Sequence, residues 1–516
     1  ESVGCRVISM SQSKPAISPP IPVPIEDWEQ TPDCVTEWVV KLLEKLEELE
    51  QAKKHIKSLE ERLAHLEEQS AQTSENSSKP PSQDGFRGKK KERRAKSERR
   101  RGGQPGHEGS GRGFYPVERC EVVQEHYPSQ CRCCGSELTG EDPSPHRHQV
   151  VELPRVLVRI EEHRLHQLEC PHCGEKTRAK LPEGVCEKEH GERLTAFVGY
   201  LSSVGHQSHQ QVVKLLDEVL DVQLSVGTVN RLRQDLSESL ESVVSEAQSY
   251  VQQATVRHCD ETGFAQHNFD GQNPQQKQGY LWVVVTPLLC WFEIALARTQ
   301  QVAQSLLGLE SQGIVVSDRY SGYNWLDPHQ RQLCWAHLKR DFTAIAQRSG
   351  VAGELGQRLL ALEREVFDLW HQFRQQTLSR LELQDRIQPL RQQLQACLEE
   401  GASFSVGYRE QTPLAKTVRT CRQLLKQEVS LWTFVYHEGV EPTNNVAERS
   451  LRPAVIARKL SFGSRSQQGS QFVARLLTVT SSLKLQQRPI LDFLTEACRA
   501  HRYHLDPPSL LPPTES

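Results

Sequence analysis

Two Cys-x-x-Cys-Gly sequences constrain this chain more tightly than any other feature. Cys131-Arg-Cys-Cys134-Gly135 is followed, after 34 residues, by Cys170-Pro-His-Cys173-Gly174. A two-residue gap lets both thiolates of a pair face one metal, and the glycine lets the backbone fold under the sulfurs. The pattern predicts a four-cysteine zinc ribbon over residues 116–185, with one Zn2+ held by Cys131, Cys134, Cys170 and Cys173. Cys133 is a possible substitute ligand, and His172 a weaker one. Four protein ligands leave no open position for a substrate, so this zinc is structural. The intervening QVVELPRVLVRIEEHRLHQLE alternates and is rich in β-branched residues, as ribbon strands are. Fifteen cysteines scattered through 516 residues are the wrong pattern for a secreted disulfide framework and fit reduced thiols.

The length suits about three domains. Residues 1–34 read as disordered, with Pro15, Pro19, Pro20, Pro22 and Pro24 too close together for helix or sheet. The only methionine is Met10, so residues 1–9 are expected to precede the natural start. Over 35–69, Leu42, Leu46, Leu49, Ala52, Ile56, Leu59, Leu63 and Leu66 follow steps of three and four, with one irregular step before Ala52. Glu and Lys fill the flanks, which predicts a coiled coil of about four heptads joining two or more copies of the chain. An amphipathic helix docked on the protein's own core would share this period.

Residues 70–115 carry Ser, Asn, Gln, Gly and Pro without a hydrophobic period, and read as a basic, disordered linker. The net charge of −3 hides its asymmetry. Arg87, Lys89, Lys90, Lys91, Arg93, Arg94, Lys96, Arg99, Arg100 and Arg101 face only Glu92 and Glu98, so this window is +8. Such a block seeks a polyanion, and nucleic acid is the expected one.

Residues 186–250 read as helical. A helix over Ser208–Val219, a short break and a second helix opening at Ser225 and bearing Arg231 and Arg233 resemble a DNA-reading helix-turn-helix. From residue 251 the pattern turns to strands. Thr255–Cys259 is read as a strand ending at Asp260, Gly279–Thr286 and Cys290–Arg298 as a hairpin, Gln300–Leu309 as a helix, and Ile314–Ser317 as a strand ending at Asp318. Three strands in a meander, a helix and a fourth strand are the order of a ribonuclease H-like α/β core. There the first and fourth strands are neighbours, which brings Asp260 and Asp318 to one end of the sheet, where ligands bind. Paired carboxylates repel unless cations sit between them. Two Mg2+ or Mn2+ ions suit an all-oxygen site and phosphoryl transfer. A third carboxylate is expected from the helix after Glu441, which Thr443 or Asn444 can cap. On it Glu448, Arg452 and Lys459 share one face, with Pro453 a potential kink.

Those residues carry a resemblance. Val256-Arg-His-Cys-Asp260-Glu-Thr-Gly, Val316-Ser-Asp318-Arg-Tyr-Ser-Gly-Tyr, Cys334-Trp-Ala-His337-Leu-Lys339-Arg340 and Asn444-Asn-Val-Ala-Glu448-Arg-Ser-Leu-Arg452-Pro with Arg458-Lys459 resemble the insertion sequence 66 family of DDE transposases. The upstream zipper, the Lys-Pro-Pro-Ser to Gly-Gly-Gln-Pro-Gly-His segment and the CxxCG ribbon match too, so the likeness runs from about residue 35 to 490. The first knuckle lacks the usual proline, which leaves the choice between Cys131 and Cys133 open. The resemblance implies Asp260, Asp318 and Glu448 as a catalytic, metal-binding triad that cleaves and joins DNA at the ends of the chain's own mobile element. It implies DNA contacts from His337, Lys339, Arg340, Arg452, Arg458 and Lys459. It also implies an all-helical insertion over 336–440 between core segments 251–335 and 441–495, before a tail of 496–516; the Leu, Gln, Arg and Glu spacing of 341–440 fits that independently.

The expected partners are element and target DNA, further copies of the chain and accessory transposition proteins, in the nucleoid-associated cytoplasm of a prokaryote. The longest apolar stretch, Leu281 to Ala297, is broken by Thr286, Pro287 and Glu293, so no membrane span is expected. A zinc-dependent DNA-binding protein without catalysis has no need of aspartates at two strand ends. A nuclease of the same fold that cuts without joining shares every motif.

Overall fold

Leucine and isoleucine at steps of three and four make the first element a helix of 38 residues, α1 (Asp33–Ser70). Leu42, Leu46, Leu49, Ile56, Leu59, Leu63 and Leu66 on it are 43–57% exposed, so the apolar stripe is not docked on the chain's own core. This is a computed structural model that describes residues 24, 30–70, 72–73, 76–77, 114–153, 158–182, 185, 187–309 and 312–512. Most of the 1–34 segment and the whole Arg87–Arg101 run lie outside the described residues. The described residues fall into two compact units: those before residue 85 with 332–442, and those of 85–331 with 443 onward. None of the described helices is long and apolar enough to cross a membrane.

The second unit opens with a short antiparallel hairpin, β1 (Gln167–Glu169) and β2 (Lys176–Arg178). The strands expected across 149–169 are therefore much shorter than the alternation indicates. Val150, Val151, Leu153, Val158 and Ile160 are 37–85% exposed, and β-branched alternation forms a strand only where one face has something to pack on.

Four helices follow: α2 (Glu192–Ser203), α3 (His209–Leu220), α4 (Val226–Ser239) and α5 (Glu241–Gln253). Ser208 and Gln211 form a capping box on α3, and Ser225 caps α4 by accepting from Thr228 N at 3.0 Å. Val198, Leu201, Val212, Leu216, Val229 and Leu232 close the core between α2, α3 and α4.

The sheet is built from β3 (Val256–Gly263), β4 (Tyr280–Val285), β5 (Cys290–Ala295), β6 (Ile314–Ser317) and the edge strand β7 (Arg331–Leu333), in the order β5-β4-β3-β6-β7. β3 pairs antiparallel with β4, and β4 with β5, whereas β3 and β6 are parallel. The crossover to β6 runs through α6 (Gln300–Leu307). Arg257 locks this crossover. Its buried guanidinium donates to Gln252 O at the end of α5 (3.3 Å), Leu307 O at the end of α6 (3.0 Å) and Gly313 O before β6 (3.1 Å). A cation there satisfies helix carbonyls that would otherwise be orphaned. β3 does not stop at Asp260 as the sequence indicates. It continues to Gly263 because β4 pairs with it as far as Gly263↔Tyr280, beyond the point where β6 ends.

The first unit resumes with α7 (Trp335–Ala346), α8 (Gly350–Arg374), α9 (Arg380–Ser403), α10 (Pro413–Lys426) and the short α11 (Thr433–Tyr436). α7 and α8 meet backbone to backbone: a Cβ on Gly356 would lie 2.3 Å from Ala346 N and 2.5 Å from its Cα. In a free helix Gly→Ala gains ~1 kcal/mol. Here Gly356→Ala is expected to lose about 1–3 kcal/mol, because backbone cannot rotate out of the way as a side chain can. Thermal unfolding of the full chain checks this, and a raised midpoint would contradict the close approach.

The second unit ends with α12 (Asn445–Ser461), α13 (Gln467–Leu485) and α14 (Ile490–Tyr503). Pro453 lies inside α12, whose helical run is unbroken. Cys259, Trp282, Val284 and Trp291 face one core with α5, α6, α13 and α14. Phe264, Leu281, Val283, Val285 and Phe292 face the other, under Ala447, Leu451 and Ala454 of α12. Each such large apolar side chain stabilises by roughly 1.5–3 kcal/mol, so α12 is held firmly on that face.

Candidate active site

Register brings the two aspartates together. The last parallel pair is His258↔Val316; two residues on, one chain reaches Asp260 and the other Asp318. Asp260 pairs across with Val283, so its side chain belongs to the face that α12 covers. Glu448 stands in the first turn of α12. Asp260 is half-buried and its carboxyl is raised well above the usual range. Burial is the largest cause; the charges of Glu261, Asp318 and Glu448 add to it. Three acidic neighbours thus act on one carboxyl, and such a cluster is costly unless a cation balances it. The donor set is all carboxylate oxygen, which fits Mg2+ or Mn2+ in chemistry, although the three carboxylates do not all come within 4.8 Å of one another.

That shift carries a pH signature. Well below the unfolded value of about 3.9, both folded and unfolded Asp260 are protonated and nothing is gained or lost. As pH rises, the unfolded chain releases its proton at about 3.9 while the folded carboxyl retains it, so ionisation costs stability until the raised folded value is passed. Asp260→Asn removes that cost. Without added Mg2+ or Mn2+, its melting midpoint should exceed the wild-type midpoint at pH 8, with the gap narrowing as pH falls through about 4 and closing only below the unfolded value of about 3.9. A gap independent of pH would mean that Asp260 is not raised.

The next residue faces the opposite way. Glu261 pairs with Trp282, and its side chain is 1% exposed. Arg298 donates to Oε1 through Nε (2.8 Å) and Nη2 (2.6 Å), and the Tyr323 hydroxyl donates to Oε2 at 2.8 Å. Burial and the Asp318 charge push Glu261 up, while Arg298 and Tyr323 hold it down. Arg298 Nη2 is also 4.0 Å from Asp318 Oδ2, and its guanidinium stacks 4.0 Å above the Tyr320 ring. Asp318 Oδ1 accepts from Tyr320 N at 2.9 Å. Below it, buried Arg331 stiffens the turn by donating to Ser317 Oγ (3.2 Å), Asp318 O (2.8 Å) and Asn324 Oδ1 (2.9 Å). Burial brings that guanidinium down to about 10, which leaves it charged at neutral pH.

Asn444 stands at the N-cap position of α12 but makes no capping bond, contrary to the sequence expectation. Its buried amide reaches across to β3 instead, donating to Cys259 O at 2.6 Å and meeting His258 Nδ1 at 3.2 Å. Burial lowers His258 to about 4, so the ring is neutral near pH 7. Arg458, further along α12, donates to Thr262 Oγ1 at 3.1 Å and to Gly263 O. Arg452 and Lys459 are exposed. Glu261, Arg298, Tyr323, Arg331 and Asn444 therefore belong to the site's surroundings without having been singled out as such by sequence.

The remaining candidates lie elsewhere. Arg231 is exposed on α4, whereas Arg233 packs inward, its guanidinium 4.0 Å over the Phe472 ring and bonded to His209. His337, Lys339 and Arg340 lie on α7 in the first unit, where Lys339 Nζ pairs with buried Glu363 at 3.0 Å. The two cysteine pairs form matching turns. Gly135 N donates to Cys131 O (3.0 Å) and Cys131 N to Ser136 O (2.9 Å); Gly174 N donates to Cys170 O (2.8 Å) and Cys170 N to Glu175 O (2.9 Å). Gly135 and Gly174 have φ of 74° and 75°, the left-handed conformation that glycine adopts freely. Hydrogen bonds from Ser136 bring the Cys134 thiol down to about 7, and bonds to Cys173 and His172 lower Cys170. Thiolate-favouring turns of this kind fit Zn2+, although the four sulfurs do not all come within 4.8 Å of one another.

The family described as Transposase IS66 family matches residues 189–472, and a family of unknown function, DUF6444, matches residues 37–113. Uncharacterized protein y4qI of Sinorhizobium fredii is 29% identical over 206 residues, 38% of this chain and 36% of that protein. The chain thus spans little more than a third of that relative. Uncharacterized protein y4jD of the same organism is 21% identical over 399 residues, 72% of this chain and 75% of its own length.

Proposed function

The chain belongs to the Transposase IS66 family, and from that premise we propose that it cleaves and joins DNA at the ends of its own insertion sequence through a DDE site made of Asp260, Asp318 and Glu448. The observation that carries this reading is the register that brings Asp260 and Asp318 to the ends of the neighbouring parallel strands β3 and β6, on the sheet that α12 covers with Glu448 in its first turn; the raised Asp260 carboxyl agrees with it. Two Mg2+ or Mn2+ ions held by these carboxylates would offset that repulsion, activate a hydroxyl nucleophile and stabilise the leaving oxygen. The protein's own part is to hold the three carboxylates still. Arg331 stiffens the Asp318 turn, Arg298 links the Glu261 side of the sheet to Asp318, and α12 carries Glu448. The antiparallel β3-β4-β5 meander, the α6 crossover and the parallel β3–β6 pair support a ribonuclease H-like core.

DNA is held by cations in this reading. Exposed Arg452 and Lys459 flank Arg458 on α12, and Arg231 lies outward on α4 for a helix-turn-helix role, which the inward Arg233 is poorly disposed to share. His337, Arg340 and the arm from Arg87 to Arg101 remain part of the proposed interface; Lys339 contributes less because Glu363 already pairs with it. The matching turns support one structural Zn2+ on Cys131, Cys134, Cys170 and Cys173, with Cys131 preferred to Cys133 as the counterpart of Cys170. The exposed stripe of α1 supports a coiled coil between copies of the chain.

The test is incubation of the purified full chain with Mn2+ and DNA bearing the ends of its element. Cut and joined products are expected. Cut ends that are never joined would identify a nuclease, and a retained complex with intact DNA would identify a binding protein.

A further inference from the structure

We propose that Asn444 is a positioning residue that sets the separation between Asp260 and Glu448, a reading that rests on those two carboxylates sharing bound cations. The argument starts from the Cys259 carbonyl. A carbonyl can only accept, so the Asn444 Nδ2 that lies 2.6 Å from it must be the amide's donor end. The other end, Oδ1, then accepts, and His258 Nδ1 at 3.2 Å is its donor. Both ends of a side chain with 0% exposure are thereby committed to the two residues that precede Asp260.

The main chain of Asn444 completes the link. Its carbonyl accepts from Glu448 N at 3.2 Å, the bond that opens α12. A two-bond path thus runs from Glu448 N to Asn444 O and from Asn444 Nδ2 to Cys259 O, the residue next to Asp260. The helix that carries one ligand is tied at its first turn to the strand that carries another. Ordinary capping is not what the side chain does. Ser208, Ser225, Thr299, Ser379, Thr412 and Ser466 all accept a backbone N–H at their helix starts, and Asn444 accepts none. Its neighbour Asn445 is exposed. Two adjacent asparagines, one tethered and one in solvent, provide an internal control.

The discriminating variants are Asn444→Ser and Asn444→Asp. Serine and aspartate are as good at a helix N-cap as asparagine, so a residue that merely started the helix would tolerate both. Serine offers a single polar atom where the amide offers two, and an ionised aspartate has no donor for the Cys259 carbonyl. Mn2+ binding to the zinc-replete, DNA-free full chain, followed by the spin resonance of free Mn2+, is the readout. Measured well below their melting midpoints, which the loss of buried hydrogen bonds lowers, both variants are expected to bind Mn2+ about 10–100-fold more weakly, the usual effect of losing a group that orients a ligand. Asn445→Ala is expected to bind as wild type, and Glu448→Ala to lose binding. Wild-type affinity in Asn444→Ser and Asn444→Asp, beside a loss in Glu448→Ala, would overturn the positioning role alone. Wild-type affinity in Glu448→Ala would remove the shared cations and the positioning role with them.

Discussion

Asp260→Ala, Asp318→Ala and Glu448→Ala are each expected to lower strand cleavage and joining by about 10^3-fold or more, roughly 4 kcal/mol of barrier. Binding to element ends should change little. The carboxylates matter most as charge develops on the scissile phosphate, so their loss is felt in the transition state more than in the bound complex. Pairs of substitutions should cost little more than single ones, because the first already disables the cation pair. Gel assays that score product and complex separately check both halves. Glu441 supplies the control: it pairs with Arg374 within the helical unit, and Glu441→Ala should keep joining activity. Activity in Glu448→Ala together with its loss in Glu441→Ala would place the third ligand seven residues too late.

Metal analysis of the purified chain should find about one zinc per molecule, and Cys170→Ser should lose it. Structural zinc in small finger peptides contributes ~10–16 kcal/mol, far more than the short β1–β2 hairpin can supply, so local unfolding should follow. Hydrogen exchange across residues 160–182 would register it. Cys133→Ser should keep its zinc, because the hydrogen bonds of Cys131 mirror those of Cys170. Asp260→Ala should keep it as well, which separates this loss from that of the catalytic cations. Full zinc content in Cys170→Ser would refute the four-cysteine assignment.

Much of the unit that holds the sheet was legible in the sequence because strand and helix periods change there abruptly. The runs at 280–285, 290–295 and 314–317 are short, largely apolar and separated by turn residues, and a helix before the last makes a parallel neighbour natural. What stayed hidden is partnership over long separations. Asp260 and Glu261 are indistinguishable as neighbouring acids; only their opposite partners, Val283 and Trp282, assign them to different faces. An unpaired buried Glu261 would be costly, which is the signal that could have pointed to a cation such as Arg298. Asn444 reads as a helix cap because its acceptor is 185 residues away. Arg231 and Arg233 look equivalent in a list of bases, yet two steps along a helix turn a side chain by roughly 200°. The ribbon strands were over-read for the converse reason: alternation was present and a surface to bury it against was not.

The placement of the helical unit between residues 331 and 443 has a consequence for synthesis. Glu448 emerges about 130 residues after Asp318, a delay of roughly 7–26 s at ~5–20 residues per second. Until α12 and α13 follow, Val283, Val285 and Phe292 have no cover, and the strands that bear the aspartates lack one face of their core. In the proposed mechanism, a nascent chain, or one cut short by an early stop codon, would carry its basic arm and cysteine turns to DNA before it could hold three carboxylates together. On that reading, the order of the gene makes breakage of DNA the last competence that the polypeptide acquires.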